Sequence, residues 1–213
     1  PLANLILLQK MTVSPLEEAE NYINPEKEVS TAEDALNGAK DILAESVSDN
    51  ADFRTHIREL TMKHGQLLSA AKDPEAESVY EMYYEFSESL SKLAGHRILA
   101  ISRGEKEKFL TVKIDAPVDR ILSYLDRKLI TAPSAPTAAV LHEVTEDAYN
   151  RLIAPAIERE IRNDLFEKAE DGAIRVFGKN LEQLLMQPPI AGQVVLGWDP
   201  AFRTGCKLAV VDP

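Results

Sequence analysis

The sequence predicts a mainly α fold: a multi-helix region over residues 1–190, followed by a short C-terminal β-hairpin over 191–213. Two observations predict it. Helix-start signals recur along the first nine-tenths of the chain, each ahead of apolar residues at helical spacing. Near the end, Gln193 to Asp212 reads as a strand, a tight polar loop and a second strand.

Each element has its own local signal. Ser14-Pro-Leu-Glu17 has serine at the N-cap, proline at the first helical position and glutamate at the third, a capping box with a proline start. Asn24-Pro25 interrupts the helix that this box opens. Ser30-Thr-Ala-Glu33 is a second capping box, opening a helix from Ala32 to Val47 with Ala35, Ala39, Ile42 and Leu43 on one face. Ser48-Asp-Asn50 starts a helix carrying Phe53, Ile57 and Leu60, and Gly65 ends it in the left-handed conformation. Val79 to Leu93 is helix-like, with Tyr80, Tyr83, Tyr84 and Phe86. Gly95-His96-Arg97 opens a short helix, Ile98 to Arg103, ended by Gly104. Lys108 to Asp115 alternates at period two and is the one central strand candidate. Asp115-Ala-Pro117 caps a helix running to about Ile130, and Thr131 to Thr137 is loop composition. Helix pattern resumes at Ala138 for nearly fifty residues. Pro155 kinks or breaks it and Gln187-Pro-Pro189 ends it.

Composition narrows the functional classes. The 213 residues are 45% hydrophobic, ordinary for a folded protein, and carry a formal charge of −11. That balance opposes phosphate-backbone binding, which clustered Lys and Arg drive. The lone Cys206 excludes an internal disulfide, which fits a reducing compartment. No run approaches the ~18 apolar residues of a membrane span. Pro1 to Lys10 lacks the basic start of a signal peptide, and the missing initiator Met leads us to expect a fragment. The P-loop, dinucleotide-binding and serine-hydrolase signatures do not occur, and no histidine pair has zinc spacing.

A few residues are candidates for chemistry. Asp199 follows the apolar strand Val194-Val-Leu196, as a carboxylate does in the first hairpin of ribonuclease-H-like enzymes. Such enzymes need several carboxylates to hold two divalent metals, and Asp-Pro is also a common turn start. Arg203-Thr204-Gly205 forms the hairpin loop, where Arg203 is a phosphate contact or a solvated loop residue. His96 and Arg97 at a helix start, with Arg103, form either an anion-binding group or part of the packing. The aromatic group at 80–86 is a base-stacking platform or core; its glutamate neighbours favour core. Glu158 to Asp164 reads as a solvated charged helix face.

Four segments together carry a family resemblance: Ala35 to Glu45 (ALNGAKDILAE), Gly95 to Glu105 (GHRILAISRGE), Ala173 to Leu181 (AIRVFGKNL) and Val195 to Asp212 (VLGWDPAFRTGCKLAVVD). They resemble the bacterial Tex family of transcription accessory proteins, in the family's order and across nearly the whole chain. The resemblance implies a multidomain cytoplasmic protein with helical regions, a YqgF/RuvC-like domain of ribonuclease-H type, helix-hairpin-helix elements and an RNA-binding OB-fold. It implies that the hairpin begins the YqgF-like domain, with Asp199 at its first-strand position. Ala201 stands where glycine is expected after Asp-Pro, and Trp198 where a smaller aliphatic is expected; both departures oppose a metal loop. Family members generally lack nuclease activity. The implied role is a scaffold rather than an enzyme, with no cofactor, nucleic acid and RNA polymerase as partners, and no membrane. Two alternatives stay open: a nuclease or resolvase using Asp199 as metal ligand, and a protein-binding helical adaptor.

Overall fold

A computed structural model describes residues 1–188, 191–201, 203 and 205–212. The chain divides into two compact units, Pro1–Asp171 and Gly172–Pro213. It is mainly helical, with a C-terminal antiparallel hairpin, as the sequence predicts.

In the first unit, α1 (Leu2–Leu8) ends at Gln9, which adopts a left-handed conformation. The Gln9 carboxamide donates to the Leu129 carbonyl at 2.7 Å and accepts from the N–H groups of Thr131 and Ala132 at 2.9 Å each. One buried side chain thus satisfies backbone groups 120, 122 and 123 residues away, which its burial requires. Helix α2 (Pro15–Ala19) has the expected Ser14–Glu17 capping box, with 3₁₀ turns at Glu20–Tyr22 and Pro25–Lys27 after it. In helix α3 (Ala32–Ser48) the capping box is shifted by one residue from the expected one. Thr31 is the N-cap and Asp34, not Glu33, returns the bond. Those Thr31 hydrogen bonds hold the Asp34 carboxyl below its ordinary range. The buried stripe of α3 is Leu36, Ala39, Leu43, Ala44 and Val47; Ile42, expected inside, is 60% exposed.

Helix α4 (Ala51–His64) is capped by the Asn50 side chain, which accepts from Asp52 and Phe53. Gly65 does end it, but in extended backbone at φ −77° rather than the left-handed region. Its need for glycine is steric: a Cβ there would lie 2.5 Å from the Thr61 carbonyl oxygen.

A three-stranded antiparallel sheet comes next, with β1 (Gln66–Ala71) between β2 (Glu85–Ser89) and β3 (Leu110–Asp115). Strand β3 matches the expected one. The helix expected over Val79–Leu93 does not form: β2 occupies its middle, between 3₁₀ turns at Glu81–Tyr83 and Leu90–Lys92. The i, i+3, i+4 spacing of Tyr80, Tyr83 and Tyr84 is satisfied by the first of these turns. It buries Tyr80 and Tyr83 to 5% and 6% exposure, so the aromatic group is core.

Helix α5 (Gly95–Lys106) runs past Gly104, the expected stop. Gly104 lies inside the helix because Leu110 and Tyr80 pack against it: a Cβ there would meet Leu110 Cδ1 at 2.7 Å. The positive-φ turn beyond the helix is at Lys108 (φ 68°). Helix α6 (Val118–Leu129) has Pro117 as N-cap with no side-chain bond; Asp115 instead closes β3. Helix α7 (Ala138–Asp147), a π-helical turn (Ala148–Ile153) and α8 (Ala154–Leu185) run continuously. The wide turn ends two residues before Pro155, whose missing N–H an ordinary α-turn would need. Helix α3 is the hub of the helical packing, touching α1, α2, α7 and the π-turn. Ile57, Ile121, Leu125, Leu141, Ile153 and Ile161 are fully buried in a single core.

In the second unit, the last turns of α8 precede β4 (Val195–Asp199) and β5 (Lys207–Val211). Trp198 pairs with Leu208 and Leu196 with Val210, so these four share one hairpin face. Gly205 has the positive φ (76°) expected in the loop.

Candidate functional site

Helix α5 carries three of the candidate residues. His96 is exposed in its first turn and Arg97 is half-buried. Arg97 is committed to the sheet: its guanidinium donates to both Glu88 carboxylate oxygens, at 2.8 and 2.7 Å, and lies 6.0 Å from the Phe86 ring. The hydrogen bond to Glu88 raises the Arg97 pKa above its usual value. Arg103 is exposed. It stands seven residues from His96 and therefore on the same helix face, about 10 Å along the axis at ~1.5 Å per residue. Arg97 turns away from both. The helix therefore presents His96 and Arg103 outward, while Arg97 braces β2.

Asp199 closes β4 opposite Lys207, and it is exposed. Arg203 is exposed in the hairpin loop, and Thr204 lies outside the described residues. Among the described residues, no three His, Cys, Asp or Glu side chains are placed to hold a metal ion. The surroundings of Asp199 thus do not fit the several-carboxylate site that two-metal phosphodiester chemistry needs.

The first half of α8 holds the run that reads, in sequence, as a solvated charged face. The Glu158 carboxylate accepts the Ile114 N–H at 3.1 Å, and Arg162 donates to the Val112 carbonyl at 3.4 Å while pairing with Glu105. Two side chains thereby occupy the outer edge of β3, where unpaired backbone groups would otherwise invite another strand. On another side of the helix, Glu160 pairs with Arg54 at 2.7 Å and Asp164 pairs with Arg58. Such half-exposed pairs contribute little individually, but they orient α8 against α4 and the sheet.

Beside that edge lies a cavity of about 480 Å³ between α5 and α8. Pro155, Glu158, Arg159, Arg162, Asn163 and Phe166 line it from α8, with Ser102 from α5. The sequence signal for this wall is a helical stripe at i, i+3, i+4, i+7, i+8 and i+11. Charged residues on such a stripe equally describe a solvated face, so the stripe alone does not announce a cavity.

Tyr149, in the π-turn, is buried. Burial first, then the nearby Asp115 and Glu158 charges, raise its hydroxyl above the ordinary tyrosine range. No described helix is long and apolar enough to cross a membrane.

Comparison with known proteins places these features in context. YdcI of Bacillus subtilis is 51% identical over 215 residues, covering 100% of this chain and 30% of YdcI. The human S1 RNA-binding domain-containing protein 1 is 34% identical, covering 91% of this chain and 21% of its own length. The transcriptional accessory protein Tex of Neisseria gonorrhoeae is 28% identical, covering 100% of this chain and 28% of its own length. The chain thus spans less than a third of each of these relatives. The family profile described as Tex central region-like matches residues 10–177. With that match covering most of both the helical core and the α8 wall, the chain belongs to the Tex family and represents its central region.

Proposed function

We propose that this chain is the scaffold segment of a Tex-like, nucleic-acid-binding transcription accessory protein, with most RNA and DNA contact made by other parts of the protein. The observation that carries the reading is its match, over nine-tenths or more of its length, to less than a third of relatives, one named for an S1 RNA-binding domain and another as a transcriptional accessory protein. The charge of −11 supports it, since a strongly acidic segment makes few phosphate contacts. In this reading residues 1–190 form the helical scaffold and 191–213 begin a ribonuclease-H-like (YqgF) domain. The wider protein is cytoplasmic and works with RNA polymerase. In this reading the segment acts as a scaffold rather than an enzyme, since two-metal chemistry needs several carboxylates and Asp199 is a single one.

The test is a fluorescence-anisotropy titration with single-stranded RNA and duplex DNA at about 0.15 M salt, comparing this chain with the full-length protein. Binding by this chain at least tenfold weaker than by the full-length protein is expected. Sub-micromolar binding by this chain alone would overturn the scaffold reading. Cleavage of either substrate with Mg²⁺ or Mn²⁺, lost in Asp199→Asn, would restore the nuclease reading.

A further inference from the structure

The cleft between α5 and α8 is open to solvent, with Pro155, Arg159 and Asn163 exposed along its α8 wall. Its volume, about 480 Å³, lies in the range of small-molecule sites, roughly 300–1,000 Å³. Two of its charged walls are already fixed. Arg162 is held by Glu105 and the Val112 carbonyl, and Glu158 by the Ile114 N–H. Three other lining side chains are uncommitted. Arg159, Asn163 and Ser102 make no side-chain hydrogen bond or ion pair with any described residue. Arg159 differs in this from Arg54, Arg58 and Arg162, each of which has a carboxylate partner.

Phe166 is the aromatic part of the wall. It is half-buried, yet it belongs neither to the hydrophobic core nor to any aromatic pair among the described residues. The π-turn Ala148–Ile153 ends two residues before Pro155, which lies at one end of the cleft, and such turns inside helices recur at functional sites.

These groups select a ligand chemistry. A guanidinium without a carboxylate partner favours phosphate. A free aromatic face favours a planar ring, and a carboxamide with a hydroxyl can read the edge of that ring. Arg159 and Phe166 are seven residues apart on one helix, about 10 Å along the axis at ~1.5 Å per residue, comparable with the reach of a nucleotide from phosphate to base. The Glu158 carboxylate in the lining and the Glu105 carboxylate paired with Arg162 repel phosphate, so the site has room for at most a single one, on Arg159. We propose that this cavity binds one nucleotide unit, its phosphate on Arg159 and its base against Phe166, supplied either as a free nucleoside monophosphate or within a single strand. The inference does not depend on the scaffold reading, because its first arm is read on this chain alone.

The experiment titrates the whole chain with adenosine 5′-monophosphate by NMR, and with a fluorescein-labelled oligoadenylate by anisotropy. Saturable adenosine monophosphate shifts at the cavity residues are expected, weakened at least tenfold in Arg159→Ala. Phe166→Ala weakens adenosine monophosphate while leaving the response to inorganic phosphate in place, a split that simple loss of folding cannot produce. Arg127→Ala, on α6 outside the cavity, changes neither. If the source is a single strand, Arg159→Ala also lowers the salt slope of oligoadenylate binding by about 0.7; if it is a free nucleotide, only the monophosphate arm responds. No saturable shift up to about 1 mM adenosine monophosphate, or equal affinity in Arg159→Ala and the unaltered chain, overturns the proposal.

Discussion

The two halves of α8 make the sharpest contrast in the molecule. Up to Asp171 the helix buries Ile157, Ile161 and Ala169 and uses Glu158 and Arg162 to close the edge of β3. Beyond Gly172 it is equally rich in apolar side chains, but Ile174, Val176, Phe177 and Leu184 are all between 62% and 68% exposed. The hairpin after it repeats the pattern, with Leu196, Trp198, Leu208 and Val210 between 60% and 69% exposed on one face. The difference teaches that apolar periodicity specifies an element and its face, while stability comes from what covers that face. A lone two-stranded hairpin is marginal in water, and an apolar surface of this kind marks a contact surface.

The largest expected effect sharpens this contrast directly. Leu125→Ala removes a fully buried side chain and is expected to destabilise the protein by about 2–5 kcal/mol. Leu208→Ala removes a similar side chain from the exposed hairpin face and is expected to stay within about 0.5 kcal/mol. Urea melts of the two variants read the difference. Comparable losses would break the contrast.

Gly104→Ala comes next. The added methyl meets Leu110 and Tyr80 inside the core, an overpacking cost of about 1–3 kcal/mol that alanine's better helix propensity offsets by about 1. Gly178→Ala, in the exposed half of α8 where a Cβ meets nothing within 4 Å, is expected to be neutral or stabilising. Thermal melts of the pair carry the test. A Gly104→Ala protein more stable than the parent would mean that the packing of α5 against Leu110 and Tyr80 is loose.

The smallest effect is a pH dependence. Burial raises the Tyr149 pKa in the folded state, so the stability it confers is fully present below the ordinary tyrosine pKa and is lost as pH rises through the raised folded value. Stability should therefore fall on the alkaline side, and Tyr149→Phe should flatten that fall. Absorbance titration of phenolate alongside the melts reads both; a Tyr149 that ionises at the ordinary value would contradict its burial.

Much of the fold is legible from sequence. The Ser14–Glu17 capping box, strand β3 and the terminal hairpin arise from local chemistry, and local chemistry is what a sequence displays. The failures fall where tertiary contacts decide. Strand β1 (QLLSAA) and strand β2 (EFSES) have little intrinsic strand character and exist because each pairs with a neighbour. Gly104 resembles a helix stop but is a packing site, and Ser30 and Thr31 offer two cap registers of which the fold uses the second. The site residues obey the same division. The basic character of Arg97 is visible, but its partner Glu88 lies on the strand that looks like a helix, so their pairing cannot be read. Arg159 and Phe166 are hidden in and beside a charged run, because the sheet edge that fixes Glu158 and Arg162 is not local to it.

The central claim is that Pro1–Asp171 is a self-sufficient core and that the hairpin contributes nothing to its stability. The most direct measurement is the thermal melt, read by helical circular dichroism, of a chain lacking residues 192–213. The account expects a cooperative transition whose midpoint moves by less than about 3 °C, roughly what 1 kcal/mol gives in a chain of this size. A collapsed or non-cooperative melt would contradict it, placing the hairpin within the core.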